Sequence, residues 1–397
     1  MLTYLHHVLK RRSRRRSEAA VSMVPRGGRV LVVGGAGYIG SLLVERLLKD
    51  GYRVRVLDSL LYGGESLRPV RGHPDFDLIV GDCRASRDVA RAMCDVESVI
   101  HLAAVVGDRA CDQHQSMALE VNVGATQMLI DCATEFGVNR FLFASTCSVY
   151  GASRFEMDED AAVRPLSLYG QTKADSERAI LSVRSGVLHP TILRLATLFG
   201  LGHRLRFDLL VNLLTAGCHK EGVITVYNGH QWRPFLHVRD AVEAITLVLK
   251  APLPLVSGQI LNLGDARLNY RLADVAVFLR NIFPDVRIEF LDTGDRRSYS
   301  VNFDKLQSLT GFRARYTLLD GIEEIKKALD VELIADYTDV RYDNARYLDT
   351  LNIVPGTDQA PVSTDQDYGN DNSRVISTLT TGNISLPANT LVTKIPR

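Results

Sequence analysis

The stretch LVVGGAGYIGSLL, residues 31–43, sets glycine at 34, 37 and 40 inside what otherwise reads as a buried strand running into a helix. Glycine weakens regular structure, so three at that spacing need a reason. After a parallel strand, a tight turn calls for a residue without Cβ, which suits Gly34. Gly37 then lets the backbone approach a pyrophosphate, and Gly40 lets the next helix pack closely on the sheet. Phosphates held there sit at the positive end of the helix dipole. Three glycines alone also fit a plain tight turn; their surroundings decide.

Arg29–Val33 is a short apolar strand, and Ile39–Lys49 has helical spacing. Arg53–Leu57 alternates as a second strand ending at Asp58, 18 residues beyond Gly40. A carboxylate there can accept from both ribose hydroxyls and repels a 2′-phosphate, so the spacing predicts NAD rather than NADP. A solvated aspartate at a strand end is the plainer alternative. Asp82, in IVGDC, is a candidate partner for the adenine amino group. Further strands are expected at Phe76–Val80, Ser98–Ala104, Arg140–Ser145 and Thr191–Leu195, with helices between them. This alternation predicts an α/β protein with a Rossmann-type, doubly wound parallel sheet. Ligands then bind beyond the carboxyl ends of the strands.

Composition sets the limits. The 397 residues, 46% of them hydrophobic, supply the core of one large domain or two smaller ones. No apolar run approaches the roughly 18 residues needed to cross a bilayer. Cys83, Cys94, Cys111, Cys132, Cys147 and Cys218 form no CxxC pair and no zinc-like cluster. Without a secretory leader ahead of them they read as reduced thiols of a cytoplasmic protein, and no metal is expected. The net charge of +1 conceals a basic cluster of Lys10, Arg11, Arg12, Arg14, Arg15 and Arg16. Residues 1–26 are expected to be a disordered leader, with Met23 as an alternative start. Contact with nucleic acid or anionic lipid is the competing reading, but no aromatic or groove-reading element accompanies the charges, so neither partner is expected. Residues 351–397 are rich in Ser, Thr, Asn, Asp and Gly and are expected to form a disordered polar tail.

The chemistry lies in FASTCSVYG (143–151) and LYGQTK (168–173). Tyr169 and Lys173 are four apart, so on a helix they share a face. An ammonium beside a phenol favours the phenolate, and the expectation is a Tyr169 pKa lowered from ~10 towards neutrality. That would make Tyr169 an acid–base for a sugar hydroxyl. Thr146, at a strand end, can hold the same hydroxyl or the ketone made from it. A Tyr–Lys pair alone is more often a surface contact; the dinucleotide signature reverses that weighting.

Four motifs together resemble the extended short-chain dehydrogenase/reductases, and within them the nucleotide-sugar epimerase/dehydratase branch. They are Gly-Gly-Ala-Gly-Tyr-Ile-Gly (34–40), His-Leu-Ala-Ala (101–104), Ser-Thr-x-x-Val-Tyr-Gly (145–151) and Tyr-x-x-x-Lys (169–173). The resemblance implies catalytic roles for Thr146, Tyr169 and Lys173. It implies cofactor contacts from Gly34, Gly37, Tyr38, Ile39, Gly40, Asp58, Asp82, Ala103 and Lys173. WRPFLHVRDAVEAI (232–245) resembles the segment whose arginine grips the substrate diphosphate, here Arg233. GDRRSYSVNFDKL (294–306) resembles a second such stretch, with Arg297 its better candidate. A homodimer built on helices 113–135 and 167–185 is also implied.

Departures bear on the reaction. The family's 4,6-dehydratases carry Asp-Glu directly after the catalytic threonine, whereas this chain has Cys147 and Ser148. Elimination thereby loses its acid and its base, and Cys147 reads as a packed thiol. Thr197, in RLATLFG, stands where 4-epimerases often place asparagine to contact substrate. The expected organisation is an NAD-binding domain over 27–195 and a substrate-binding lobe over 196–350, with 237–264 returning to the first domain. The expected activity is NAD-dependent nucleotide-sugar 4-epimerisation through a 4-keto sugar. The alternatives are a C4 ketoreductase or dehydrogenase, a 4,6-dehydratase, and a non-catalytic NAD-binding protein on the same fold.

Overall fold

A computed structural model of the chain describes residues 27–351; the leader expected over 1–26 and, but for Leu351, the tail expected over 351–397 lie outside them. The central sheet is built from β1 (Arg29–Val33), β2 (Arg53–Asp58), β3 (Phe76–Val80), β4 (Ser98–His101), β5 (Arg140–Thr146) and β6 (His189–Leu195). The second lobe contributes β7 (Thr197–Phe199), β8 (Val223–Tyr227) and β9 (Trp232–His237). These are followed by β10 (Ile260–Leu263), β11 (Asn269–Arg271) and β12 (Arg287–Leu291).

Seven parallel strands form one sheet in the order β10-β6-β5-β4-β1-β2-β3. The apolar run of β1 is explained by burial on both faces: Val30 and Val32 join one core layer, Leu31 and Val33 the other. The chain leaves β1 towards β2 and β3, then returns to place β4 on β1's other side. That reversal is the switch point at which doubly wound sheets bind ligands.

The helices used below are α1 (Tyr38–Lys49), α2 (Asp108–Gln113), α3 (Ala125–Glu135), α4 (Leu168–Ser182), α5 (Leu210–Lys220), α6 (Val238–Lys250), α7 (Leu272–Ile282), α8 (Leu318–Asp330) and α9 (Asn344–Thr350). Among the described residues no helix is long and apolar enough to cross a membrane. The second lobe packs α5, α7 and α8 on two small sheets, β11-β9-β7 and β12-β8, around Phe199, Val211, Phe235, Val275 and Ile322. The segment between them returns to the main sheet. There β10 pairs with β6, and α6 lies on α1, tied by ion pairs Arg46–Glu243 and Lys250–Asp50.

Three local features depart from the expected elements. The fourth strand ends at His101 rather than Ala104, because Leu102 and Ala103 both donate to the Val33 carbonyl and the chain turns out of the ladder. The helix expected over 113–135 is interrupted: a π-helical turn, Leu119–Gly124, precedes α3. Asn122 sits in that turn, and its side chain bridges the Val105 backbone and the Thr172 hydroxyl. Residues after α8 do not stay with the second lobe. Phe207 donates to the Tyr342 carbonyl, and α9 packs on α2 and near Tyr62, back over the first lobe.

Candidate active site

A cavity of about 1300 Å³ opens at the switch point, beyond the carboxyl ends of β1, β2, β4 and β5. Its floor is the glycine turn. Gly34 has φ +85°, and a Cβ there would lie 2.6 Å from the Ala103 nitrogen. A Cβ on Gly40 would sit 2.2 Å from the Gly34 carbonyl oxygen, so α1 can approach only with glycine at that position. A Cβ on Gly37 would meet only that same oxygen, at 3.3 Å, and Gly37 faces the cavity. No side chain caps α1, which leaves its first N–H groups, at Tyr38 and Ile39, directed towards the cavity.

Asp58 ends β2 on the same wall. Its carboxylate accepts from the backbone N–H groups of Ala36 and Leu60, both at 2.9 Å, while burial pushes its pKa up. Each oxygen keeps a free lone pair, as a ribose diol requires. These features fit a dinucleotide: a close-approach turn for the pyrophosphate and an acceptor for the ribose. Ala103 lines the cavity beside them. Asp82 also lines it, but its carboxylate is gripped by Arg84 at 2.7 Å, and Arg84 in turn reaches Glu120.

Thr146 closes β5, its hydroxyl accepting from Ser148 N–H at 3.1 Å, and it lies close enough to Tyr169 to favour that residue's phenolate. Tyr169 and Lys173 occupy the first turns of α4, whose start is capped by Ser167 accepting from Gly170 N–H. All three catalytic candidates line the cavity, with Ser148, Thr197 and Tyr299 around them. A buried network fixes the strand end beneath them. Glu177 of α4 accepts from Ser145 and pairs with Arg194 of β6 at 2.7 Å; Arg194 also donates to Tyr150, which donates to Asn262. Breaking such a buried pair typically costs about 3–5 kcal/mol.

The expected lowering of the Tyr169 pKa is corrected by the structure. Burial pushes the phenol above its usual range, and the neighbouring cation that opposes this is Arg206, not Lys173. Lys173 points elsewhere: its ammonium donates to the Ala144 carbonyl at 2.8 Å and lies 4.7 Å from the centre of the Phe143 ring. Burial pulls its own pKa down to about 8. Cys147 is buried, with its thiol donating to the Arg194 carbonyl at 3.2 Å, away from the cavity.

Arg233 and Arg297 are brought together, but neither lines this cavity. Arg233 donates to the Arg297 carbonyl and to Gln231, and lies over the Tyr299 ring, which does line it. Arg297 pairs with Asp108 and Asp295. Sequence reasoning missed Arg204, Arg206, Tyr299 and Asn344, which the cavity wall includes. Their signal is weak: RLRFD follows no motif, and Asn344 reaches Arg204 from 140 residues away.

Comparison with known proteins matches this arrangement. The model of the NAD dependent epimerase/dehydratase family matches residues 30–264. A dTDP-glucose 4,6-dehydratase of Streptomyces griseus is 31% identical over 305 residues, covering 74% of this chain and 91% of that one. The solved structure of MoeE5 in complex with UDP-glucose and NAD is similar at 30% identity and TM-score 0.66, covering 77% of this chain and 100% of that one. A UDP-glucuronic acid 4-epimerase from Bacillus cereus, in complex with NAD, is similar at 25% identity and TM-score 0.67, covering 76% and 99%. With a Rossmann-type sheet, a glycine turn and a ribose-ready Asp58 on one wall, and a Thr–Tyr–Lys set opposite, the chain belongs to the NAD-dependent epimerase/dehydratase family of extended short-chain dehydrogenases and has NAD as its cofactor.

Proposed function

We propose that this protein is a nucleotide-sugar 4-epimerase acting through a transient 4-keto sugar. One observation carries the choice of reaction. The carboxylates lining the cavity are Asp58, Asp82 and Glu120, all at the cofactor end, and the two residues after Thr146 are Cys147 and Ser148. Removing water from C5–C6 needs a base for the C5 proton and an acid for the departing hydroxyl. A thiol turned to the Arg194 carbonyl, with its pKa raised by burial, supplies neither. The name of the Streptomyces relative therefore does not transfer to this chain, whereas the Bacillus epimerase supports the reading.

Bound NAD supplies a hydride acceptor that can return the hydride and, when oxidised, a positive charge. Gly34, Gly37, Tyr38, Ile39, Gly40, Asp58, Asp82 and Ala103 hold it, together with Lys173. Tyr169 takes the proton of the C4 hydroxyl as the C4 hydride leaves, and gives a proton back when hydride returns to the other face of the ketone. Thr146, which lines the cavity with Tyr169, holds the reacting oxygen. Thr197 and the Arg233–Arg297 pair serve the substrate, the arginines gripping its diphosphate from the second lobe, where planar guanidinium groups suit phosphate oxygens. The reading includes a homodimer through the helical faces of 113–135 and 167–185, and a cytoplasmic enzyme of carbohydrate biosynthesis.

The test is incubation with UDP-, dTDP-, GDP- and CDP-sugars in heavy water. The expected product is a C4 epimer of unchanged mass, without deuterium at C4 or C5. Tyr169→Phe should reduce turnover by about 10²–10⁴, the usual contribution of a positioned acid–base. A product lighter by one water, with deuterium at C5, would replace the epimerase with a dehydratase.

A further inference from the structure

The segment that follows β7 crosses from the second lobe over the first turn of α1. Tyr38 donates to the Gly200 carbonyl at 2.8 Å, and a Cβ on Gly202 would come within 2.8 Å of the Tyr38 ring. His203 meets Glu45 of α1 at 2.8 Å. This strap delivers two arginines to the cavity wall. Arg206 is neutralised by a two-pronged pair with Asp208, at 2.9 and 2.7 Å.

Arg204 is different. Its guanidinium lies 4.0 Å from the centre of the Tyr62 ring and donates to the Asn344 side-chain oxygen at 2.7 Å. Its Nε is buried without a partner, and among the described residues no carboxylate lies within ion-pair distance of it. Asp58 is close enough for its charge to act on Arg204, and Arg206 acts on both Tyr38 and Tyr169. Both arginines line the same cavity as Asp58, the glycine turn and the catalytic tyrosine. Burial and Arg206 both pull the Arg204 pKa down, to about 10, so this wall holds a desolvated cation in want of an anion.

We infer that Arg204 binds the pyrophosphate of NAD from the side opposite the glycine turn, locked in place by Asn344, so that the second lobe closes on the cofactor. The chemistry is that of a planar fork of N–H donors meeting phosphate oxygens, which the backbone amides of α1 can satisfy on one side only. The proposed sugar-diphosphate arginines lie elsewhere, against Tyr299, whereas the surroundings of Arg204 are Tyr62 and Asp58 at the cofactor end. The C-terminal helix α9 completes the clamp. Besides Asn344, it sets Tyr347 against Tyr62, the rings tilted with centres 5.3 Å apart, and Asp349 meets His114 at 3.0 Å.

The inference rests on the cofactor, not on the sugar reaction, and its test reads binding rather than turnover. Cofactor-stripped wild type, Arg204→Gln and Asn344→Ala would be titrated with NAD, ADP-ribose, adenosine, NADP and UDP. Arg204→Gln should weaken NAD and ADP-ribose about ten- to a hundredfold, the size of one lost charge-assisted contact, and leave adenosine and UDP within twofold. Asn344→Ala should weaken the same two ligands by a smaller factor, and it decides the matter if Arg204→Gln does not fold. Unchanged NAD and ADP-ribose binding overturns the inference. So does an equal loss for adenosine, a loss that falls on UDP, or one confined to NADP.

Discussion

The cofactor end of the cavity is made largely of backbone, whereas the proposed sugar-diphosphate site, set behind Tyr299 in the second lobe, is made of long side chains already engaged with the protein. At the first end, Gly34, Gly37 and Gly40 shape the turn, and two main-chain N–H groups hold Asp58. At the second, Arg233 is spent on Gln231 and a carbonyl, and Arg297 on Asp108 and Asp295. A backbone cradle is ready before its ligand arrives. A side-chain site of this kind must exchange protein partners for ligand oxygens, so part of its contact energy goes into releasing the first partners. The two regions should therefore respond differently to substitution.

The largest effect should come from Gly40→Ala. The added Cβ would lie 2.2 Å from the Gly34 carbonyl oxygen and 2.7 Å from the Gly35 Cα, both backbone atoms that cannot swing aside. Overpacking of a rigid site costs about 1–3 kcal/mol or more, and here it also pushes α1 off the phosphate turn. Thermal unfolding of the stripped protein should fall, and NAD titration should show a large loss of affinity. Normal values for both would show that the helix has room the structure denies it.

Arg233→Ala and Arg297→Ala should act more gently and on the other ligand. One charge-assisted phosphate contact is worth roughly 1.5–3 kcal/mol before the release of existing partners is subtracted. The KM for the nucleotide sugar should rise about tenfold, with kcat and NAD affinity little changed. If NAD affinity falls instead, the division of the cavity into two ends is wrong.

The same contrast explains what could be read from the sequence. β1, the glycine turn and α1 are contiguous and locally specified, and Tyr169 and Lys173 fall on one helix face, so their placement followed from spacing. The direction of Lys173's ammonium did not, because the Ala144 carbonyl that takes it belongs to another strand. Arg204 was invisible for a similar reason: its environment is assembled from Tyr62, 142 residues earlier, and Asn344, 140 residues later. Sequence spacing carries contacts within one element well. It carries almost nothing about a guanidinium whose partners come from two distant segments, nor about a C-terminal helix that folds back over the first lobe.

Lys173 gives an effect confined to alkaline pH, with a clear sign. Its side chain is 2% exposed, and burial lowers its pKa to about 8, against ~10.4 for a lysine in an unfolded chain. Between those values the unfolded state holds a proton that the folded state has released, so unfolding takes up protons and stability rises with pH across that window. Below pH 8 both states are charged, and the folded protein bears the full cost of the desolvated ammonium. Integrated over the window, the gain is at most about 3 kcal/mol, with a slope no steeper than ~1.4 kcal/mol per pH unit. Lys173→Met removes this group while leaving the other titrating residues in place. In denaturant unfolding of the stripped proteins, the stability of wild type relative to the variant should therefore climb between pH 8 and about 10.4 and level off on either side. A flat difference would mean that the Ala144 carbonyl and the Phe143 ring compensate the ammonium for the water it lost. The lysine would then be set to carry its charge throughout the working pH range, and its place among the catalytic candidates would rest on holding the cofactor rather than on a tuned proton.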